Sequence, residues 1–159
     1  MSEYDINNYD LKQGTSTVHS TTTYQESSLK YYNLTQELTQ GTAQSAGLDL
    51  HVESITPSAK MIGTGLFVSI PRGWVGLVVP RSSLGLKGFY LRNTIGVIDS
   101  DYRGEIMLAY AGSYTPQPGE RVAQLVLVPH WVGAVERMAS IDDLDTTDRG
   151  DGGFGSTGA

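Results

Sequence analysis

Short runs of alternating apolar residues, each stopped by a proline or a glycine-rich turn, predict an all-β protein, either a sandwich or a barrel. Helical periodicity is scarce. Glycine accounts for 19 of the 159 residues, above the usual share of about 7%, as expected of a backbone that turns tightly and often.

Residues 1–27 are polar and rich in Ser and Thr, with no apolar periodicity, and read as a flexible extension; the alternatives are a strand that pairs late or a partner-binding tail. From Leu29 the texture changes, and residues 28–147 form the β-rich core. Leu66, Val68 and Ile70 alternate up to Pro71, and Trp74 to Val79 alternate up to Pro80. Ser82 to Lys87 has room for one helical turn. Asn93 to Arg103 places apolar residues on both sides of turn formers and is expected to be a hairpin. Gly104 to Tyr110 and Val122 to Val128 are further strands, and Asp142 to Asp148 is an acidic loop or frayed turn. Residues 148–159 are a Gly-rich tail that can build no core element.

Composition removes several functional classes. There is no cysteine, hence no disulfide, iron–sulfur cluster, thiolate zinc site or catalytic thiol. The net charge of -6 repels nucleic acid. No apolar run is long enough for a membrane helix, and no signal peptide is evident, so a cytoplasmic or other intracellular location is expected. His19, His51 and His130 lack zinc-site spacing. Gly150, Gly152 and Gly155 match G-x-G-x-x-G, but no helix can follow so near the chain end, so the dinucleotide reading fails.

Several residues retain chemical interest, each beside a plain structural reading. Asp49 is a carboxylate in an apolar strand and needs partners or a nearby cation. Arg81, Ser82 and Ser83 present a charged fork and two hydroxyls suited to a polyphosphate, or else a Ser N-cap beside an exposed Arg. Asp99 follows Val97 and Ile98, where partial desolvation would suit a general base; otherwise it is a turn former. Gln124 is an amide inside an apolar run, either satisfied in the core or touching a ligand. In the tail, Arg149, Phe154, Ser156 and Thr157 combine charge, a stacking ring and hydroxyls among exposed backbone N–H groups. Arg121 and Lys87 read equally well as contributors or as surface charges.

Taken in order, five segments resemble the five motifs of the trimeric dUTPase family (deoxyuridine triphosphate nucleotidohydrolases). They are Ala46-Gly47-Leu48-Asp49-Leu50, Pro80-Arg81-Ser82-Ser83-Leu84-Gly85, the stretch from Gly96 to Gly104, Gly119-Glu120-Arg121-Val122-Ala123-Gln124-Leu125, and the stretch from Arg149 to Gly158. The resemblance implies a jelly-roll-like subunit in a homotrimer. Each C-terminal arm would close over a site formed by the other two subunits. It also implies hydrolysis of dUTP to dUMP and pyrophosphate, which keeps uracil out of DNA and supplies dUMP for dTMP synthesis. By the same resemblance Asp99 would activate water for attack on the α-phosphorus. The segment from Asn93 through Gly96 and Ile98 would read uracil, with Tyr102 under the deoxyribose and Met107 also at the nucleotide. Ser82 would donate to the α–β bridging oxygen, and Arg81, Ser83 and Gln124 would hold phosphate oxygens or their waters. Phe154 would stack on the base, Arg149 would contact the phosphates or position the stacked arm, Gly155, Ser156 and Thr157 would close over the phosphates, and Asp49 would reach Mg²⁺ through water. Arg92, beside Asn93, is bulkier than the motif usually carries there.

Two other readings stand beside this one. A dCTP deaminase of the same superfamily would need a glutamate near the base, for which Glu105 is available. A regulator would use the nucleotide as a switch and residues 1–27 as an arm for a protein partner.

Overall fold

The computed structural model describes residues 28–152. The expected N-terminal extension, and Phe154, Gly155, Ser156 and Thr157 of the arm, lie outside the described residues. The described chain forms nine strands and little helix. In order they are β1 (Lys30–Asn33), β2 (Gly47–His51), β3 (Ser54–Thr56), β4 (Met61–Ser69), β5 (Trp74–Pro80), β6 (Phe89–Leu91), β7 (Gly96–Ile98), β8 (Glu105–Gly112) and β9 (Arg121–Pro129). Between β5 and β6 lies the single-turn helix α1 (Ser82–Gly85), and Ile141–Asp143 forms a 3-10 turn.

The strands make two antiparallel sheets. One runs β1-β4-β8-β6, with β3 also on β4; the other runs β2-β9-β5-β7. Alternation puts one row of side chains from each sheet into a shared core: Ile62, Leu66 and Val68 from β4, Ile106, Leu108 and Tyr110 from β8, and Val78, Val122 and Leu125 from the second sheet, all buried. Met107, between Ile106 and Leu108, faces outward. Gly76 allows close packing in the core: a Cβ there would lie 2.8 Å from Leu125 Cδ1, 2.9 Å from Ile70 Cδ1 and 3.3 Å from Ile98 Cβ.

The expected hairpin over Asn93 to Arg103 does not form. β6 pairs with β8 and β7 pairs with β5, so this segment carries the chain from one sheet to the other and back. Its turns are Leu91 to Thr94, closed by Thr94 N–H on the Leu91 carbonyl, and Asp99 to Tyr102, closed by Tyr102 N–H on the Asp99 carbonyl. Thr94 is held at φ 63, a conformation that a β-branched residue adopts only under constraint.

A bulge in β4 between Gly63 and Phe67 is built around Glu105. Its Oε1 accepts the Gly65 N–H at 2.7 Å, and Thr64 Oγ1 donates to the Ile106 carbonyl at 2.7 Å. Gly65 takes φ 64, which favours glycine. After β9 the chain runs extended and exposed, with Trp131, Val132, Val135 and Met138 all open to solvent in the single subunit.

Gly76→Ala should lower stability by about 1–3 kcal/mol, the usual cost of overpacking a filled core. Urea unfolding at fixed protein concentration measures this, and an unchanged midpoint would show that Leu125 and Ile70 can yield.

Candidate active site

The charged half of the site lies on the outer face of the second sheet. Asp49 pairs opposite Gln124 and Leu50 opposite Ala123, but His51 then faces Arg121. The residue passed over, Val122, is a β-bulge. It leaves Val122 and Ala123 both buried and brings Arg121 to the face that carries Asp49, His51 and Gln124. In unbroken register Arg121 would stand opposite Val52 and point inward.

Asp49 is only 8% exposed. A carboxylate so placed is costly unless paired. Arg121 Nη1 donates to its Oδ2 at 3.1 Å, and Arg81 Nε lies 3.7 Å from its Oδ1. Arg81 is set there by its backbone N–H, which donates to the Val122 carbonyl. Both guanidiniums remain partly exposed, so donors that Asp49 does not use are open to an anion. Burial pushes the His51 ring below its ordinary value; Asp49 opposes this, and Arg121 and Arg81 add to it.

Gln124 lies over Gly47, where a Cβ would sit 2.1 Å from its Oε1. Its amide has no hydrogen-bond partner among the described residues. Ser82 and Ser83 are exposed. The N-cap of α1 is Arg81, with no side-chain cap, so the structure does not realise the Ser N-cap reading.

The second half lies where the chain returns from β7 to β8. Val97, Ile98, Asp99, Tyr102, Glu105 and Met107 line a hollow of about 110 Å³, with Ile106 at its floor. This is of the order of a cavity that holds one aromatic ring, too small for a whole nucleotide. Tyr102 folds back on its own chain: its hydroxyl donates to the Glu105 carbonyl at 2.9 Å, and a Cβ at Gly104 would lie 2.3 Å from that hydroxyl. Asp99 is exposed in the single subunit, so neighbouring Ile98 and Val97 do not desolvate it as expected. The Glu105 carboxylate is committed to the Gly65 N–H of the β4 bulge.

Asn93 and Gly96 flank the hollow along the chain, at the crossing between the sheets. The structure thus gathers Ile98, Asp99, Tyr102 and Met107 at one place, and Asp49, Arg81 and Gln124 at another, with Ser82 and Ser83 following Arg81 in α1. Among the described residues no hydrogen bond or ion pair joins the two groups. Arg149 stands apart from both, its Nε donating to the Gly152 carbonyl at 2.8 Å. Lys87 is engaged elsewhere, 3.9 Å from Glu120 and over the Tyr114 ring. Sequence reasoning left Arg121 open and did not single out His51; the one signal for Arg121 is the Val122-Ala123 apolar doublet that breaks the alternation of β9.

Among the described residues no cluster of three or more His, Asp or Glu side chains could hold a metal ion, and no helix is long and apolar enough to cross a membrane. A carboxylate has about four lone-pair positions. Arg121 uses one of those on Asp49 and Arg81 stands 3.7 Å from the other oxygen, which leaves room for a water shared with a cation.

A family model described as dUTPase matches residues 35–158. The deoxyuridine 5'-triphosphate nucleotidohydrolase of Escherichia phage T5 is 46% identical over 134 residues, covering 75% of this chain and 89% of that protein. The enzyme of the same name from Shigella sonnei (strain Ss046) is 42% identical over 132 residues, covering 76% and 85%. Among solved structures, a mutant of the Staphylococcus bacteriophage 80alpha dUTPase with dUpNHpp superposes with a TM-score of 0.65 at 22% identity, over 83% of this chain and 99% of that one. A mutant dUTPase from phage phi11 of S. aureus, solved for the coordination of a structural Mg(II) ion, superposes with a TM-score of 0.59 at 20% identity, over 73% and 99%. The two-sheet fold, the ordered motifs and the match across most of the chain agree, and the chain belongs to the dUTPase family.

Proposed function

We propose that the protein hydrolyses dUTP to dUMP and pyrophosphate inside the cell, as a homotrimer whose sites are shared between subunits. Family membership over residues 35–158 carries this reading, and the ring-sized hollow beside Asp99 and Tyr102 supports it. Uracil enters near the Asn93–Ile98 crossing, where backbone groups around Gly96 read its edge. Tyr102 lies under the deoxyribose, where a 2′-hydroxyl would collide with its ring. Met107 completes the wall of the hollow.

The triphosphate lies against the other group of residues. Arg81, Ser83 and the unpaired Gln124 amide hold phosphate oxygens or their waters. Asp99 takes a proton from water as that water attacks the α-phosphorus. The bond from the α-phosphorus to the bridging oxygen breaks, and Ser82 donates to that oxygen as charge grows on it. Mg²⁺, bound mainly by the triphosphate and water, offsets the anionic charge when present, with Asp49 touching it through water. Residues 148–159 act as the arm: Phe154 stacks on the base, and Arg149, Gly155, Ser156 and Thr157 close over the phosphates. Residues 1–27, which precede the 28–147 core in sequence, would take the protein partner of the regulator reading.

The separation of the two groups within one chain supports a shared site. So does the exposed run from Trp131 to Met138, an apolar stretch of a kind that monomers seldom leave open. The commitment of Glu105 to the β4 bulge favours hydrolysis over deamination.

Pyrophosphate release with Mg²⁺ tests the reading directly: dUTP should be turned over, and dTTP, dCTP and UTP should not. Ammonia released from dCTP would overturn it. Light scattering should give three times the 17.2 kDa chain mass; a monomer with full turnover would refute the shared site. Asp99→Asn should lower kcat by about a hundredfold to ten-thousandfold, the usual range for a general base, while nucleotide binding survives. Gly104→Ala should push Tyr102 out of place and reduce the preference for dUTP over UTP by about tenfold, the low end for a single steric contact; an unchanged ratio of the two kcat/KM values would remove Tyr102 from sugar selection.

A further inference from the structure

The Arg121 side chain is brought to the outer face by a bulge and spends a donor on the carboxylate that also faces Arg81. We infer that Arg121 is a positioning residue: through Asp49 it fixes the guanidinium of Arg81 in the orientation that meets the triphosphate. The inference rests on the proposed placement of the phosphates at Arg81.

Three observations carry it. Asp49 offers one oxygen to each arginine, Oδ2 to Arg121 at 3.1 Å and Oδ1 to Arg81 at 3.7 Å. The directed hydrogen bond is therefore the one to Arg121, while Arg81 is held more loosely by charge. Asp49 is buried and has no other side-chain partner among the described residues, so Arg121 is the contact that sets the rotation of its carboxylate. Finally, Val122 bears on both arginines, through its bulge against β2 and through its place in the ladder with β5. The bulge turns Arg121 outward, and the Val122 carbonyl accepts the Arg81 backbone N–H at 3.2 Å.

If Arg121 is lost, Asp49 loses its directed bond. Its carboxylate is then free to rotate onto Arg81 and draw it into a closer pair, away from the ligand. Arg121 thus keeps Arg81 available, although its own guanidinium need not touch the nucleotide.

A double-mutant cycle tests this. Arg121→Gln, Arg81→Gln and the double variant are measured for binding of dUpNHpp with Mg²⁺ by calorimetry, and for binding of deoxyuridine, which has no phosphate. Arg121→Gln should weaken dUpNHpp about tenfold in the wild-type background and less than twofold in the Arg81→Gln background, with deoxyuridine unchanged. Arg121→Lys, which keeps a donor for Asp49, should recover most of the loss; Arg121→Met, which keeps an unbranched stem but no donor, serves as the test variant if Arg121→Gln fails to fold. Equal weakening in both backgrounds, or a parallel loss of deoxyuridine binding, would overturn the inference and show a direct or purely structural role. Because the readout is binding, failure of wild-type turnover with dUTP would count against the proposed hydrolysis and leave the cycle interpretable. A wild-type protein that does not bind dUpNHpp would overturn both.

Discussion

A nearly buried carboxylate is costly in a sheet unless cations stand beside it, and Asp49 has two. That requirement organises the outer face of the β2-β9-β5-β7 sheet. Arg81 comes from the end of β5, Arg121 from the start of β9, and both meet on a residue of β2. Gly47 leaves the space that Gln124 fills. The result is a site where two guanidiniums face one carboxylate, a local excess of positive charge in a chain of net charge -6. That arrangement suits a polyanion far better than the net charge suggests.

The second half of the site follows from a different constraint. The chain crosses between the sheets at Arg92 to Ile95 and returns after Asp99, so β7 sits at a sheet edge with a hollow beside it. Two devices, one local and one between distant strands, shape the wall of that hollow. Gly104 leaves room for the Tyr102 ring to fold back, and Glu105 ties β8 to the bulge of β4. The hollow and the arginine pair are therefore built on different strands and depend on different packing.

The strands that alternate strictly were legible residue by residue. β4 stops near Pro71 and β5 at Pro80, as the sequence predicts, and the inward rows of β8 and β9 contain the expected apolar residues. Single-turn α1 falls inside the expected stretch. Asn93 to Arg103 was misread because turn formers flanked by apolar residues look the same whether the chain returns beside itself or crosses to another sheet; pairing partners decide, and they lie far away in sequence. The role of Arg121 was hidden for a similar reason. A bulge exists only relative to a partner strand, and β2 is some seventy positions earlier. Asp49 was legible as a group needing a cation, but which cation answered it depended on that register. The exposure of Asp99 was not legible, since apolar neighbours in sequence need not be neighbours around a side chain at a turn.

The bulge at Val122 also bears on how such a chain can change over generations. Substitutions along β9 alter one side chain at a time, and most outward positions tolerate them. A change in length does not act locally. Removing Val122 or Ala123 would leave Arg121 opposite His51 with the bulge gone, whereas adding one residue between Arg121 and Gln124 would, in the present register, set Arg121 opposite Val52 and turn its charge toward the core. This strand should therefore tolerate substitution away from Arg121 and Gln124 better than it tolerates an added residue.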